Sequence, residues 1–223
     1  MINPKQVPAL TAATAAGCAA VFFVSCANNP GTRTVSASKT HHSANPLGFV
    51  PKIVQNFIPP GNLNRREKRK MKPRYITIHS TANQSASANA EAHVKLLHRA
   101  GLGRLSWHFT VDDSSIYQTL PTDEQGQHAD YEGPGNRYSL GIEMCENAGN
   151  SRSKTMEQTA KLTAHLMKEH NIPINRVVPH QHWRRVRTDG KDFGHKNCPH
   201  FLMDDGQPGK KWEAFLKQVR SYL

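Results

Sequence analysis

The stretch Arg74–Ser85, RYITIHSTANQS, organises the reading of this chain. Tyr75-Ile76-Thr77-Ile78-His79 is β-branched and aromatic, and small polar residues follow it. Such a run reads as a buried strand that ends in a loop, with His79 at the junction. In α/β sheets the carboxyl ends of strands are where sites are commonly built. His79 is therefore a candidate site residue as well as a fold marker.

Working outward, helical and strand periods alternate. Ser87–Arg99 carries Ala90, Val94 and Leu97 at helical spacing, with Ser87 as the expected N-cap and Gly101 as the stop. Trp107–Val111 and Ile116–Gln118 flank Asp112-Asp113, a hairpin pattern in which His108 faces away from Trp107 and Phe109. A lone histidine on a strand reads first as a hydrogen-bonded structural residue. Gln125–Arg137 is a glycine-containing loop that holds His128, and loops of this length tend to carry function.

Ser139–Glu146, SLGIEMCE, places Leu140, Ile142, Met144 and Glu146 on one face and Gly141, Glu143 and Cys145 on the other. A carboxylate in so apolar a strand is costly unless partnered, so Glu143 is either one half of an ion pair or a chemical group. Thr155–Glu169 reads as a helix with Thr155 and Gln158 as a capping box and Ala160, Ala164 and Met167 turned inward. A closing helix, Lys211–Tyr222, carries Trp212, Phe215, Leu216 and Val219 on one stripe. The alternation predicts a single α/β domain over residues 74–223, with a central mixed sheet flanked by helices.

The stretch Val177–His200 concentrates His180, His182, His195, Lys196, Cys198 and His200 beside an expected strand at Arg176–Pro179. Neutral imidazole and thiolate are donors that zinc prefers, and a catalytic zinc takes three protein ligands with a position left open. Standing alone, the stretch also reads as a histidine-rich surface loop. A third ligand from elsewhere in the chain decides between the two.

The chain has 223 residues and a formal charge of +12, which suits a polyanionic partner without naming one. Residues 1–25 are alanine-rich and apolar with Lys5 as the early charge, an export-signal pattern. They end in Phe23-Val24-Ser25-Cys26, similar to the lipobox of bacterial lipoproteins, so Cys26 is the expected lipidation site and Cys18 is removed with the signal. Residues 26–73 read as a tether followed by a basic arm. Arg65, Arg66, Lys68, Arg69, Lys70, Lys72 and Arg74 crowd there against Glu67, and the absence of interleaved aromatics argues against nucleic acid. Lipid head groups or an anionic wall polymer suit an exported protein better. The two cysteines left, Cys145 and Cys198, admit a disulfide as the purely structural alternative.

Taken together, Ile76–Asn83, Ser106–Asp112, Gly141–Asn147, Pro179–Trp183 and Lys196–His200 resemble, in family order, the type-2 N-acetylmuramoyl-L-alanine amidases. These zinc hydrolases share the fold of phage amidases and peptidoglycan-recognition proteins. The resemblance implies Zn2+ as cofactor, His79, His180 and Cys198 as ligands, Glu143 as the catalytic carboxylate and Lys196 near the reacting carbonyl. Asn83, Trp107, His108 and His128 are the expected substrate contacts. The implied reaction is hydrolysis of the amide between N-acetylmuramic acid and L-alanine. The other reading of the same fold is a non-catalytic peptidoglycan-binding module.

His180 and Cys198 stand 18 positions apart, a longer loop than is usual in the resembling proteins. Insertions cost little, because loop-closure entropy grows as the logarithm of length. The extra residues, near Arg184–Phe193, leave open whether His180 or His182 is the ligand. They also leave open whether Arg184, Arg185, Arg187 and Lys191 contact substrate or are solvated. The expected protein is an exported monomer, lipid-anchored in a bacterial envelope, whose partner is peptidoglycan or muropeptides and not nucleic acid.

Overall fold

Tyr75–Ser80 does form a strand, and Ser139–Met144 lies parallel beside it with Tyr75 opposite Ser139 and His79 opposite Glu143. The computed structural model describes residues 50–223, so Cys26 and the export segment lie outside the described residues. In chain order the strands are β1 (Val54–Gln55), β2 (Arg66–Lys70), β3 (Tyr75–Ser80), β4 (Phe109–Val111), β5 (Ile116–Gln118), β6 (Glu124–Gln125), β7 (Ser139–Met144), β8 (Val177–Pro179), β9 (Met203–Asp204) and β10 (Gln207–Pro208). The helices are α1 (Ala90–His98), α2 (Pro134–Tyr138), α3 (Arg152–His170) and α4 (Lys210–Arg220). The main sheet runs β1-β5-β4-β7-β3-β8. β4, β7, β3 and β8 are parallel, and β5 is antiparallel to β4, so the sheet is mixed.

Period-two alternation explains how the strand pair is anchored. Ile76, Ile78, Leu140, Ile142 and Met144 are fully buried in one cluster with Ala160, Leu162 and Leu166 of α3 and Trp212, Phe215 and Val219 of α4. Each such side chain contributes about 1.5–3 kcal/mol relative to exposure. That face fixes the position of both strands and leaves the opposite face to carry polar groups. The α4 stripe expected from sequence is the buried one.

Three local expectations change. Asn89, not Ser87, caps α1, because its Oδ1 accepts from Ala92 N at 2.9 Å. α3 begins at Arg152, ahead of the expected capping box, and Thr155 lies buried inside it, donating to Asn150 Oδ1 at 3.0 Å. The loop at 125–137 contains part of β6 and most of α2.

The fold also starts before Arg74. β1 adds to the edge of the main sheet beside β5, and Ile58 is fully buried with Leu97, Trp107 and Leu120. The basic run is folded onto the domain, although Arg69, Lys70, Lys72 and Arg74 stay exposed. β2 pairs with β6, Arg65 bridges Glu124 at 2.9 Å, and Arg66 and Arg69 share Glu132. Acids distant in sequence neutralise much of the local charge, which composition of the run alone cannot reveal. No helix among the described residues is long and apolar enough to cross a membrane.

Candidate metal centre and catalytic cleft

Three neighbouring parallel strands deliver the site. His79 is near the end of β3, Glu143 sits beside it on β7, and β8 pairs with β3 on the other side and releases the chain into His180. Cys198 closes the set, held where Gln181 N donates to its carbonyl at 3.0 Å and Ser80 N approaches its Sγ at 3.5 Å. One donor atom each from His79, His180 and Cys198 lies within 4.8 Å of the others, and all three residues are buried. Cys145 and Cys198 are both free, so the disulfide alternative falls.

The hydrogen bonds around the imidazoles set their tautomers. A backbone carbonyl can only accept, so His180 Nε2–H donates to Ala129 O at 2.9 Å and His128 Nε2–H donates to Ser139 O at 3.2 Å. A neutral His128 then presents a bare Nδ1 to His79 Nε2 at 2.9 Å and a neutral His180 presents a bare Nδ1 to His79 Nδ1 at 3.0 Å, so a neutral His79 has one proton for two acceptors. Burial holds His79 and His128 well below the usual imidazole value and His180 at about 4, which keeps all three rings neutral. With that proton on Nε2, toward His128, two unprotonated Nδ1 atoms face each other 3.0 Å apart, His79 against His180. Two lone pairs at that distance repel each other unless they share a cation. Outer hydrogen bonds that fix ring orientation and leave the inner nitrogen bare are what metal-bound histidines use. Burial and the nearby Glu143 push the Cys198 thiol up to about 12, a cost that a coordinated cation reverses.

Glu143 Oε1 is 3.8 Å from His79 Nδ1, and its Oε2 is buried without a hydrogen-bond partner. Desolvation raises its carboxyl to about 8, against the pull of Lys196, which also lines the cleft. The ion-pair reading of Glu143 therefore does not hold: no lysine or arginine bridges it among the described residues. His182 is exposed and turns to Tyr75 and Trp183, ring centroids 6.4 and 4.6 Å away. Its ring takes no part in the buried cluster. His195 bonds Gln181 O at 2.7 Å, and His200 lies 3.4 Å from Glu146.

The cleft has a volume of about 490 Å³, and His79, Glu143, His180, Trp107, His128 and Lys196 are among its walls. Two expected substrate contacts lie apart from the cleft walls. Asn83 is exposed, accepts from Ser85 N at 3.1 Å and is not among the residues that line the cleft. His108 is fully buried, donates from Nε2 to Glu124 O at 2.8 Å and accepts from Gly141 N at 3.0 Å, which leaves it nothing to offer a substrate. His128 lines the cleft, yet both its nitrogens are used in orienting His79. Gly141 makes this possible, since a Cβ there would fall 2.8 Å from the His128 ring. Arg104, Tyr131 and Arg185 also line the cleft without having been expected to, apart from Arg185 as an open choice.

The fold and this donor set can be compared with known proteins. Residues 69–201 match the family model described as N-acetylmuramoyl-L-alanine amidase. The chain belongs to this amidase family. Among curated family members it is 45% identical to the amidase CwlH of Bacillus subtilis (strain 168), over 76% of this chain and 61% of CwlH. It is 44% identical to the amidase XlyA of the same organism, over 73% of this chain and 49% of XlyA. The chain thus spans about half to three fifths of the length of these relatives. Among solved structures, a mutant endolysin from Bacillus subtilis superposes with a TM-score of 0.66 at 44% identity, covering 76% of this chain and 99% of that one. The catalytic domain of XlyA gives 0.64 at 43% identity, covering 75% and 99%. The α/β single-domain expectation and the family resemblance both hold.

Proposed function

We propose that this protein hydrolyses the amide joining N-acetylmuramic acid to L-alanine in peptidoglycan, using zinc held by His79, His180 and Cys198. The observation that carries the reading is the convergence of the His79 and His180 Nδ1 atoms, 3.0 Å apart, on a buried thiol, beside a carboxyl whose Oε2 has no hydrogen-bond partner. Two imidazoles and one thiolate suit zinc better than hard, oxygen-seeking cations. Zinc bound there would supply Lewis acidity toward water and the amide carbonyl, and its charge would draw Glu143 down from about 8 toward neutrality.

The chain's own groups do the rest. Glu143, at the cleft wall and without a lysine or arginine bridge among the described residues, takes the proton of the attacking water and returns it to the leaving amine. Lys196 places an ammonium at the cleft wall, where charge develops on the carbonyl oxygen. Trp107, 5% exposed and tied through Nε1 to Thr110 Oγ1 at 2.7 Å, offers a rigid apolar wall to substrate. His128 keeps His79 in the donor tautomer. Around this core, the protein acts as a monomer on peptidoglycan or muropeptides after export, anchored by a lipid on Cys26. The relatives' names as wall amidases support the substrate class.

Digestion of purified peptidoglycan with product analysis by mass spectrometry tests the reading. The expected products are stem peptides with a free L-alanine amino terminus and glycan strands of unchanged length. Binding to the wall without release of peptide would instead mark a recognition module. Fatty-acid labelling that survives Cys26→Ala would remove the anchor.

A further inference from the structure

The segment after Trp183 is a small hairpin. Arg185 N and Phe193 N bond across it to Gly194 O and Arg185 O, and Val186 pairs with Asp192. Its three arginines have different fates. Arg184 is bound to Asp192, with Nε to Oδ2 at 2.9 Å, and Arg187 is bound to Asp189, with Nε to Oδ1 at 2.9 Å. Arg185 has no acidic partner among the described residues, and its side-chain hydrogen bonds go to carbonyls, Phe193 O at 3.0 Å and Gly194 O at 3.4 Å.

Arg185 is also the one of the three that lines the catalytic cleft. It lies over the Phe193 ring, 6.0 Å from the centroid, and Phe193 in turn packs on Tyr131, another cleft residue, at 5.7 Å. The hairpin thus neutralises two guanidiniums internally and leaves the third, backed by an aromatic ring, at the wall of the cleft. Arg104 and Lys196 add positive charge to the same walls, against Glu143 as the one acid.

We infer that Arg185 binds a carboxylate of the peptide stem and makes the enzyme prefer stems with that carboxyl free over stems in which it is amidated. A guanidinium with donors to spare recognises a planar carboxylate through paired, charge-assisted hydrogen bonds, and a neutral amide returns only part of that interaction. The inference rests on the amidase reading above and adds to it the chemical class of stem that the cleft selects.

The test uses muramoyl tripeptides in which each free carboxyl is amidated in turn, with kcat/KM measured on the full-length zinc enzyme. One amidation is expected to lower kcat/KM by about tenfold, the factor that about 1.4 kcal/mol carries. Arg185→Gln is expected to cleave that acid and its amide alike, Arg185→Glu to reverse the order, and Arg185→Lys to keep part of the preference. Arg184→Gln, which breaks only the pair with Asp192, should keep all of it. Discrimination that survives in Arg185→Gln, or the absence of any discrimination in the native enzyme, overturns the inference and leaves the amidase reading standing. Failure to cleave any of these substrates or the intact wall would overturn both.

Discussion

On β3 and β7, the residues that pack with α3 and α4 are Ile76, Ile78, Leu140, Ile142 and Met144, while Thr77, His79, Gly141 and Glu143 occupy the opposite face. Both faces are largely buried, but they are stabilised differently. The apolar face is satisfied by contact alone. The polar face holds two imidazole nitrogens 3.0 Å apart, a buried thiol and a carboxyl oxygen with no hydrogen-bond partner, a donor set that could hold a cation. The comparison teaches that one face can be altered to change stability and the other to change chemistry, with little crossover.

The largest effect that tests this separation is Glu143→Gln. Loss of the proton-transferring carboxyl is expected to lower kcat by about 10²–10⁴, while zinc content and the far-ultraviolet spectrum stay native. Muropeptide release by the variant at the native rate would break the comparison. Next comes the pair His180→Ala and His182→Ala. The first should lose stoichiometric zinc in elemental analysis, and the second, being exposed and turned to Tyr75 and Trp183, should keep it. On the apolar face, Ile142→Ala should cost about 2–5 kcal/mol in denaturant unfolding, yet leave zinc binding intact at low temperature. Zinc loss in that variant at temperatures where it is folded would show that the faces are coupled.

The smallest effect is a pH slope in the metal-free protein. Glu143 sits at about 8 against an ordinary 4.5, so the folded state holds a proton that the unfolded state releases. Its contribution is full below pH 4.5 and is lost as pH rises through 8. His108 and His180, depressed to about 4 from 6.5, act with the opposite sign and contribute fully above pH 6.5. Between pH 6.5 and 8 the falling limb therefore belongs to Glu143, and Glu143→Gln should flatten it in unfolding titrations.

Periodicity made the strand pair legible, because YITIHS and SLGIEM carry their burial pattern in alternate residues. His79 and Glu143 followed, since strand ends and a carboxyl in an apolar strand are visible without coordinates. The choice of His180 over His182 was not visible. Two residues apart, they would share one face of an extended chain, but a turn of 3₁₀ helix at His180–His182 buries the first and exposes the second. His108 and His128 could not be told apart either, because their roles depend on which backbone groups they meet: Glu124 O and Gly141 N for one, Ser139 O for the other. The basic run misled for the same reason, as its acids come from residues 123, 124 and 132.

The most direct test of the central claim is X-ray absorption at the zinc edge on the purified protein, compared with Cys198→Ser. The native spectrum is expected to show a four-coordinate site with one sulfur at about 2.3 Å and imidazole nitrogens at about 2.0–2.1 Å, the sulfur shell vanishing in the variant. A native spectrum without sulfur, or one unchanged by Cys198→Ser, would contradict it.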